Sequence, residues 1–401
     1  MTDHTSGRTS GHSERVRALL RRVPLIDGHN DLPGAIRKRN FYDFGSCDIA
    51  HPQPDLMTDI PRLRAGRVGG QFWSVFVPST LQGDAAVAAT LEQIDAVHAM
   101  VRRYPEDLEL ATSADDVERA FGSGRIASLI GMEGGHSVAC SMGTLRMMYT
   151  LGARYMTLTH NDNVPWADSA TDEAKHDGLT SFGEEIVREM NRLGMLADCS
   201  HVAPATMADA LRVSEAPVIF SHSSCRALSD HPRDIPDEIL RRLPANGGVA
   251  MVTFVPEFVS QECADWKNDI DGEVRRRGLD PHDRATWREV RDDWARDHPR
   301  PKVTIAQVAD HVDHVRDLAG VDHIGIGGDY DGVDVQPEGL QDVSRYPALL
   351  AELAGRGYDD DDLAKIAGGN VLRALREAED VARRLQVARE PSRARIADLD
   401  S

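Results

Sequence analysis

Histidine and carboxylate residues of the kind that bind metals recur in short motifs along the whole sequence. The first motif places His29 and Asp31 two positions apart, so in an extended chain both side chains point the same way. Five further motifs hold residues of this kind: Glu133 in Gly-Met-Glu-Gly-Gly, His160 in Leu-Thr-His, His201 in Asp-Cys-Ser-His, His222 in Phe-Ser-His, and Asp329 with Asp331 in Gly-Gly-Asp-Tyr-Asp. A lone histidine is more often structural, but the whole set predicts a metal centre.

The donor set indicates which metal would bind. Imidazole with carboxylate suits zinc and, less specifically, manganese, iron or cobalt. Three histidines and two carboxylates are too many for one open catalytic site, but they suit two cations about 3.5–4 Å apart that activate a water between them. Some barrels bridge their metals with a modified lysine. Here every lysine misses the predicted strand ends, so Glu133 is the better bridge.

These motifs follow short apolar segments that read as strands. We predict eight of them: Val23–Asp27, Gly70–Val77, Ile126–Gly131, Tyr155–Leu158, Met195–Asp198, Pro217–Phe220, Gly248–Phe254 and His323–Ile326. Helical segments separate them: Ala85–Arg103, Gly143–Leu151, Ser181–Leu193, Pro204–Leu211, Pro236–Leu243 and Ile305–Leu318, with Tyr346–Leu353 and Asp361–Ala374 at the end. The alternation predicts a (β/α)8 TIM barrel of the metal-dependent hydrolase type, whose chemistry lies at the carboxyl ends of its strands.

We expect one catalytic domain over residues 15–380, after a disordered segment over residues 1–14 and before a C-terminal tail over residues 381–401. Residues 256–301, rich in Asp, Arg and Trp, are too long for an ordinary loop. They predict an inserted helical lid or a subunit contact, with a solvated decoration as the alternative.

Composition limits the possible partners and compartments. A net charge of -19 argues against nucleic acid and anionic membrane as partners. The N-terminus lacks the apolar core of a signal peptide, and no apolar stretch approaches the ~20 residues of a membrane span. Five cysteines without a Cys-x-x-Cys pair read as reduced thiols. We therefore expect a cytoplasmic protein.

The motifs together resemble those of the membrane dipeptidase (renal dipeptidase) family of zinc metallopeptidases. The resemblance covers roughly residues 20–375. The matching stretches are Ile-Asp-Gly-His-Asn-Asp-Leu-Pro from Ile26, Gly-Met-Glu-Gly-Gly-His from Gly131, Leu-Thr-His-Asn from Leu158, Asp-Cys-Ser-His from Asp198, Phe-Ser-His-Ser-Ser from Phe220, Gly-Gly-Asp-Tyr-Asp-Gly from Gly327 and Pro-Glu-Gly-Leu-Gln-Asp-Val-Ser-Arg-Tyr-Pro from Pro337.

The resemblance implies a role for each residue. His29 and Asp31 would bind one zinc and His201 and His222 the other, with Glu133 and a water or hydroxide bridging the two ions. Three residues would contact the substrate: His160 at the carbonyl or developing oxyanion, Arg233 at the free carboxylate, and Asp329 as the proton shuttle. Sequence alone separates Asp329 poorly from Asp331.

The implied function is that of a binuclear zinc dipeptidase, active also on L-Xaa-D-Xaa dipeptides, and the implied assembly is a homodimer. Other metal-dependent hydrolases are the alternative: a lactonase, a deaminase or an N-acyl amino acid amidohydrolase. A catalytically dead binding or scaffold protein is a third reading. Gly34 and Val255 stand where the family leads us to expect aromatic residues, which leaves the side-chain pockets open. The membrane attachment and the disulfide-linked dimers of the mammalian members are not expected here.

Overall fold

The computed structural model describes residues 4–280 and 283–400 and contains one parallel sheet of nine strands. The strands are β1 Leu25–Asn30, β2 Val68–Phe76, β3 Leu108–Leu110, β4 Ile126–Glu133, β5 Ala153–Thr157, β6 Leu196–Asp198, β7 Ile219–Phe220, β8 Val249–Val252 and β9 Ile324–Ile326. Eight of them close into a ring, because β2 pairs with β4 and β9 pairs with β1. The predicted (β/α)8 barrel is confirmed.

Each of the eight predicted strands has its counterpart in this ring. Nearly all residues of these strands are buried, as expected when helices cover the outer face of the sheet and side chains fill its interior. The ninth strand, β3, was not predicted. It pairs with the first three residues of β4, outside the ring, and its three residues are too short to give a periodic pattern.

The helices surround the barrel in chain order. Their bounds are α1 His4–Leu19, α2 Leu32–Asn40, α3 Ile60–Ala65, α4 Asp84–Arg103, α5 Ala114–Gly122, α6 Met142–Thr150, α7 Ser181–Leu193, α8 Pro204–Val213, α9 Asp237–Leu240, α10 Leu243–Asn246, α11 Pro256–Val259, α12 Gln261–Arg276, α13 Arg284–Trp294, α14 Ile305–Ala319, α15 Tyr346–Gly355, α16 Asp360–Ala364, α17 Asn370–Ala388 and α18 Ile396–Leu399. None of the helices in residues 4–280 and 283–400 is both long and apolar enough to cross a membrane.

Two predicted helices are each divided into two. The segment predicted as Pro236–Leu243 forms α9 and α10, and Pro244 occupies the first turn of α10, where proline is well tolerated. The segment predicted as Asp361–Ala374 contains a π-helical turn over Lys365–Gly369. Gly368 lies there against the barrel, where an added Cβ would come within 2.4 Å of the Pro24 carbonyl oxygen. A side chain at this position would push the helix off the first strand.

Both ends of the described chain pack on the barrel. The segment 1–14, predicted to be disordered, is helical from His4 onward as part of α1, and residues 1–3 lie outside the described residues. Arg15 of α1 pairs with Asp360 at 2.5 Å. At the other end α17 continues past residue 380 to Ala388, and the Asp400 carboxylate accepts a hydrogen bond from Thr180 Oγ1 at 2.5 Å. The predicted tail is therefore not a separate segment.

The inserted segment 256–301 is helical, as predicted, and consists of α11, α12 and α13 with their connections. Residues 281–282, between α12 and α13, lie outside the described residues. The two longer helices share a small core of their own, formed by the buried side chains Trp266, Ile270, Val274 and Val290. This core lets the insertion keep a fixed shape beside the barrel.

Candidate metal centre

Six residues, the five predicted metal ligands and the predicted proton shuttle Asp329, converge at the carboxyl ends of the strands. His29 belongs to β1 and Glu133 ends β4, while the other four follow the ends of β1, β6, β7 and β9: Asp31, His201, His222 and Asp329. All six are buried. With His160, which follows β5, they form three overlapping groups: His29 with Glu133 and His222, Glu133 with His160 and His201, and His29 with Asp31 and Asp329. In each group the ligand atoms lie within 4.8 Å of one another.

Glu133 is at the centre of this cluster. Its Oε2 atom lies 3.5 Å from Nε2 of His29, and its Oε1 atom lies 3.0 Å from Nε2 of His201 and 3.6 Å from Nε2 of His222. Ser74 donates a hydrogen bond of 3.1 Å to Oε2 and fixes the carboxylate plane. The two carboxylate oxygens therefore face two different sets of ligands, which is the arrangement that a bridge requires.

The outer nitrogens of two histidines are held by the protein, which leaves Nε2 of each ring for the cluster. Tyr155 OH lies 2.9 Å from Nδ1 of His29, and Ser221 Oγ lies 2.8 Å from Nδ1 of His222. Nε2 of His29 is buried and has no hydrogen-bond partner among the described residues. Hydrogen bonds of this kind to the outer nitrogen orient histidines for metal binding.

A pair of imidazoles face each other at a short distance: the Nε2 atoms of His201 and His222 lie 3.1 Å apart. Burial lowers the pKa of both rings well below the usual value, and nearby positive charge, including Arg233, lowers it further. Both rings are therefore neutral at pH 7, so each offers a lone pair. Two neutral imidazoles, one orphaned imidazole nitrogen and a shared carboxylate fit divalent cations.

Two acidic residues in the last loop have separate positions. Asp329 Oδ1 lies 3.9 Å from Nε2 of His29 and lines the cavity above the cluster. Burial and the charge of Asp31 raise the pKa of Asp329 well above its usual range. Asp331 accepts a hydrogen bond of 2.7 Å from the Met57 backbone N–H and is not part of the lining of this cavity.

The loop that carries both aspartates is bent by left-handed backbone. Asp329 has φ 55° and Asp331 has φ 66°, a conformation that aspartate tolerates better than most residues. This bend lets the Asp329 N–H donate to the His29 carbonyl at 3.1 Å, and the Asp31 N–H donate to the Tyr330 carbonyl at 2.9 Å. The backbone of the last loop thus holds the first ligand motif.

Arg233 is a buried cation at the wall of the same cavity. Its guanidinium donates to Ser223 Oγ at 3.3 Å and to the His222 carbonyl at 3.2 Å, and it lies 5.1 Å from the ring centre of Phe258. Only 3% of the residue is exposed, yet no carboxylate pairs with it among the described residues. An unpaired buried charge is costly, so the site favours an anionic ligand here.

His160 lies between the cluster and an aromatic wall. Its ring centre is 4.6 Å from that of Phe76 and 4.3 Å from that of His201, and its Nε2 is 3.6 Å from Glu133 Oε1. The cavity that these residues line has a volume of about 480 Å³, within the range of small-molecule sites. It is large enough to admit a ligand beside the cluster.

Some residues that shape the site were missed from the sequence. Ser221 stands within a quoted motif, and so does Asp198, whose carboxylate accepts bonds from Ser221 Oγ at 2.7 Å and from Thr157 Oγ1 at 2.5 Å. Tyr155 gave no signal of its own. Its ring lies over Gly131, where an added Cβ would be 2.0 Å from the ring. The glycine at position 131 is therefore the sequence feature that accommodates Tyr155.

A closed (β/α)8 barrel with histidines and carboxylates at the carboxyl ends of its strands defines a metal-dependent hydrolase. Residues 13–389 match the family model described as membrane dipeptidase, peptidase family M19. Dipeptidase verJ of Clonostachys rogersoniana is 42% identical over 384 residues, which cover 92% of this chain and 87% of that protein. The chain belongs to the membrane dipeptidase family and is a metal-dependent dipeptidase.

Solved structures share the fold at low sequence identity. The probable dipeptidase PvdM of Pseudomonas aeruginosa has a TM-score of 0.81 at 23% identity, covering 93% of this chain and 100% of that one. A metallo peptidase from Rhodobacter sphaeroides, liganded with a phosphinate mimic of the dipeptide L-Ala-D-Ala, has a TM-score of 0.73 at 22% identity, covering 89% and 99%. These structures show the shared fold, while the family model and the 42% identical relative confirm the resemblance to the membrane dipeptidase family and the predicted enzyme class.

Proposed function

We propose that this protein is a binuclear zinc dipeptidase that hydrolyses L-Xaa-L-Xaa and L-Xaa-D-Xaa dipeptides. The observation that carries the proposal is the position of Arg233, a buried cation without a carboxylate partner in the described part of the chain, in the same cavity as the metal-ligand cluster. A dipeptide offers a free carboxylate for the arginine and an amide bond for the cluster. Lactones and neutral amides lack that carboxylate.

The cluster divides into two sets of ligands around Glu133. His29 and Asp31, with 3.3 Å between Nε2 and Oδ2, would hold one zinc, and His201 and His222 would hold the other. Glu133 would be shared, since its two oxygens face the two sets. Two bound zinc ions supply an activated water at neutral pH and polarise the scissile carbonyl.

The chain's own residues would place the substrate and move the proton. Arg233 pairs with the terminal carboxylate, and a bidentate pair of this kind fixes orientation as well as position. His160 lies beside Glu133 and would contact the carbonyl oxygen as negative charge develops on it. Asp329 would take the proton of the attacking water and return it to the leaving amine, a role that suits a carboxyl group with a raised pKa.

Activity on D-residues is the finer part of this proposal. It is supported by the structural neighbour from Rhodobacter sphaeroides, which was solved with a mimic of L-Ala-D-Ala. We also propose that the protein forms a homodimer, which light scattering of the purified protein would test. A cytoplasmic location is proposed too and fits the five free cysteines of the structure.

A substrate screen with the metal-loaded protein tests the function. The library contains L-Xaa-L-Xaa and L-Xaa-D-Xaa dipeptides, their C-terminal amides, N-acetyl amino acids and simple lactones, and metal content is measured by mass spectrometry. We expect about two zinc ions per chain, turnover of dipeptides, loss of turnover after chelation and little turnover of the C-terminal amides. Faster turnover of N-acetyl amino acids than of dipeptides would instead favour an amidohydrolase.

A further inference from the structure

The inserted helices form one wall of the substrate cavity. Lys267, Asp271 and Arg275 of α12 are spaced by four residues, which places them on one face of the helix, and all three line the cavity. Trp287, Arg288 and Arg291 of α13 line it as well. The insertion therefore supplies a large share of the cavity lining, and its charged and aromatic side chains differ in character from the buried cluster of metal ligands.

The outer part of the cavity is the lining other than the metal-ligand cluster and Arg233. Positive charge dominates this outer part. Within residues 4–280 and 283–400, six cationic side chains line it: Lys38, Lys267, Arg275, Arg288, Arg291 and Arg300. In the same part of the chain, three acidic side chains line it: Glu257, Asp271 and Asp334. This excess stands against a net charge of -19 for the whole chain. A local positive field on an acidic protein would draw anionic ligands to this opening.

Each of the three acidic side chains in the outer part of the cavity already accepts hydrogen bonds from neighbouring side chains. Asp271 accepts from Lys267 at 2.8 Å and from Trp287 Nε1 at 2.6 Å. Asp334 accepts from Arg288 at 3.3 Å and from Arg291 at 3.0 Å.

The third, Glu257, accepts from Arg300 at 2.5 Å, and Arg291 also pairs with Asp292. Lys38 and Arg275 remain. Both are exposed, and neither makes an ion pair or side-chain hydrogen bond with any residue that the structure describes. Besides Arg233, they are the cations of the cavity lining, among the described residues, that are left for a ligand.

Gly34 leaves room between the metal ligands and one of these cations. It lies in α2, four residues before Lys38 and three after Asp31, so the three residues lie near one face of the helix. An added Cβ at Gly34 would meet nothing nearer than Gln93 Nε2 at 3.9 Å and Asp31 Oδ1 at 4.0 Å. Glycine is a poor helix former, so the open space beside Gly34 is retained at some cost to the stability of the helix.

We propose that Lys38 and Arg275 select dipeptides that carry a carboxylate in a side chain, so that the preferred substrates contain aspartate or glutamate. This inference rests on the proposed dipeptidase function. The terminal carboxylate pairs with Arg233, and the side chain extends over Gly34 towards the outer cations. Both residues determine specificity and take no part in bond cleavage.

Matched dipeptides test the inference on the zinc-loaded enzyme. The pairs are L-Asp-L-Ala with L-Asn-L-Ala, L-Ala-L-Glu with L-Ala-L-Gln, and L-Ala-D-Glu with L-Ala-D-Gln. We expect the acidic member of at least one pair to have a kcat/KM about tenfold higher, a ratio that falls in 0.5 M salt. Lys38→Gln and Arg275→Gln should each lower that ratio about threefold, chiefly by lowering kcat/KM for the acidic member.

Controls separate this inference from the proposed function. Arg276→Gln removes the next cation of α12, which pairs with Glu273 and does not line the cavity, so it should leave the ratio unchanged. Substitution of both Lys38 and Arg275 by Glu should shift the preference towards lysine-containing dipeptides. Equal rates within every pair, or a ratio that both Gln variants leave intact, would overturn the inference alone. Absence of turnover for all dipeptides would overturn the proposed function.

Discussion

The hydroxyl of Tyr155 lies 2.9 Å from Nδ1 of His29, so a tyrosine of the fifth strand orients a ligand of the first strand across the barrel. The same hydroxyl lies 3.2 Å from the Gly28 carbonyl oxygen. Because one proton can serve only one acceptor, either the hydroxyl donates to Gly28 and accepts from His29, or it donates to His29. In both cases the ring orientation of His29 is fixed and Nε2 faces Glu133.

Removal of this hydroxyl should weaken metal binding more than it weakens folding. For Tyr155→Phe we expect a loss of about 10–100-fold in zinc affinity at the His29 side, the range found for outer partners of ligating histidines. Excess zinc should restore turnover. Competition with a chelator measures the affinity. Tyr358→Phe, which removes a hydroxyl bonded to Asp313 outside the cavity, should leave the affinity unchanged.

Replacement of the shared carboxylate should change the number of bound ions. Glu133→Gln keeps the shape of the side chain but removes the anion that faces both sets of ligands. We expect about one zinc per chain instead of two after dialysis, and a loss of at least about a hundredfold in kcat because the paired-metal chemistry is lost. Two tightly bound ions in this variant would show that Glu133 is not the bridge.

The two aspartates of the last loop should differ in their effect on turnover. Asp329→Asn removes the proposed proton carrier, so kcat should fall by about 10²–10⁴-fold with little change in KM. Asp331→Asn changes a side chain bonded to the Met57 backbone, and we expect less than a tenfold effect on kcat. Steady-state kinetics on one dipeptide measures both. The reverse order would assign the proton transfer to Asp331.

Arg233 should be needed for substrates with a terminal carboxylate only. For Arg233→Lys we expect a loss of about 2–4 kcal/mol in transition-state binding, or roughly 30- to 1000-fold in kcat/KM, because a point charge cannot replace the planar fork. The variant should discriminate less between a dipeptide and its C-terminal amide. Unchanged discrimination would show that another residue binds the carboxylate.

A buried histidine away from the metal site should make stability depend on pH. His311 accepts a hydrogen bond from the Cys225 N–H at 3.0 Å and donates one to the Val259 carbonyl at 3.0 Å. Burial lowers its pKa from 6.5 to about 4. The unfolded chain therefore binds a proton between these values that the folded chain does not, so this stability is complete above pH 6.5 and is lost as the pH falls towards 4.

The slope from this one group is about 1.4 kcal/mol per pH unit at most. For His311→Gln we expect a less stable protein at pH 7.5, by about 1–3 kcal/mol, because a buried hydrogen bond is lost. The difference from the wild type should shrink between pH 6.5 and 4.5, as urea unfolding would show. His98→Gln, at a partly exposed site, serves as the control. A difference that does not vary with pH would contradict the assignment.

The metal ligands could be predicted because each belongs to a short motif next to an apolar strand. His29 and Asp31 need only their own spacing, and the barrel then brings the other strand ends to the same face. The disordered segment predicted over residues 1–14 was based on composition, whereas α1 is supported by the buried side chains Val16, Leu19 and Leu20 farther along the chain. These buried side chains lie beyond residue 14, so the composition of residues 1–14 alone does not reveal the helix.

The rest of the site depends on contacts between distant residues. Tyr155 reaches His29 over a sequence separation of 126 residues, and Asp334 meets Arg291 over 43. Such pairs leave no local pattern in the sequence. From the sequence alone, Tyr155 is therefore predicted only to be a buried core residue of its strand. The insertion could be predicted as helical from its length, but its place beside the cavity follows from packing. The sequence shows that Gly34 stands where the family leads us to expect an aromatic residue. The open space beside Gly34 is visible only in the structure, from the distances to its neighbours.

Closure of the barrel also sets when the enzyme can become active in a cell. Asp27 Oδ1 accepts a hydrogen bond from the Gly328 N–H, a contact that joins β1 to the loop after β9 across 301 residues of sequence. At about 5–20 residues per second, a ribosome needs roughly 15–60 s to make the chain between them. During that time the first strand has an unpaired edge and Asp329 does not yet exist. A chain that ends before this loop lacks the proposed proton carrier Asp329, so turnover requires the completed barrel.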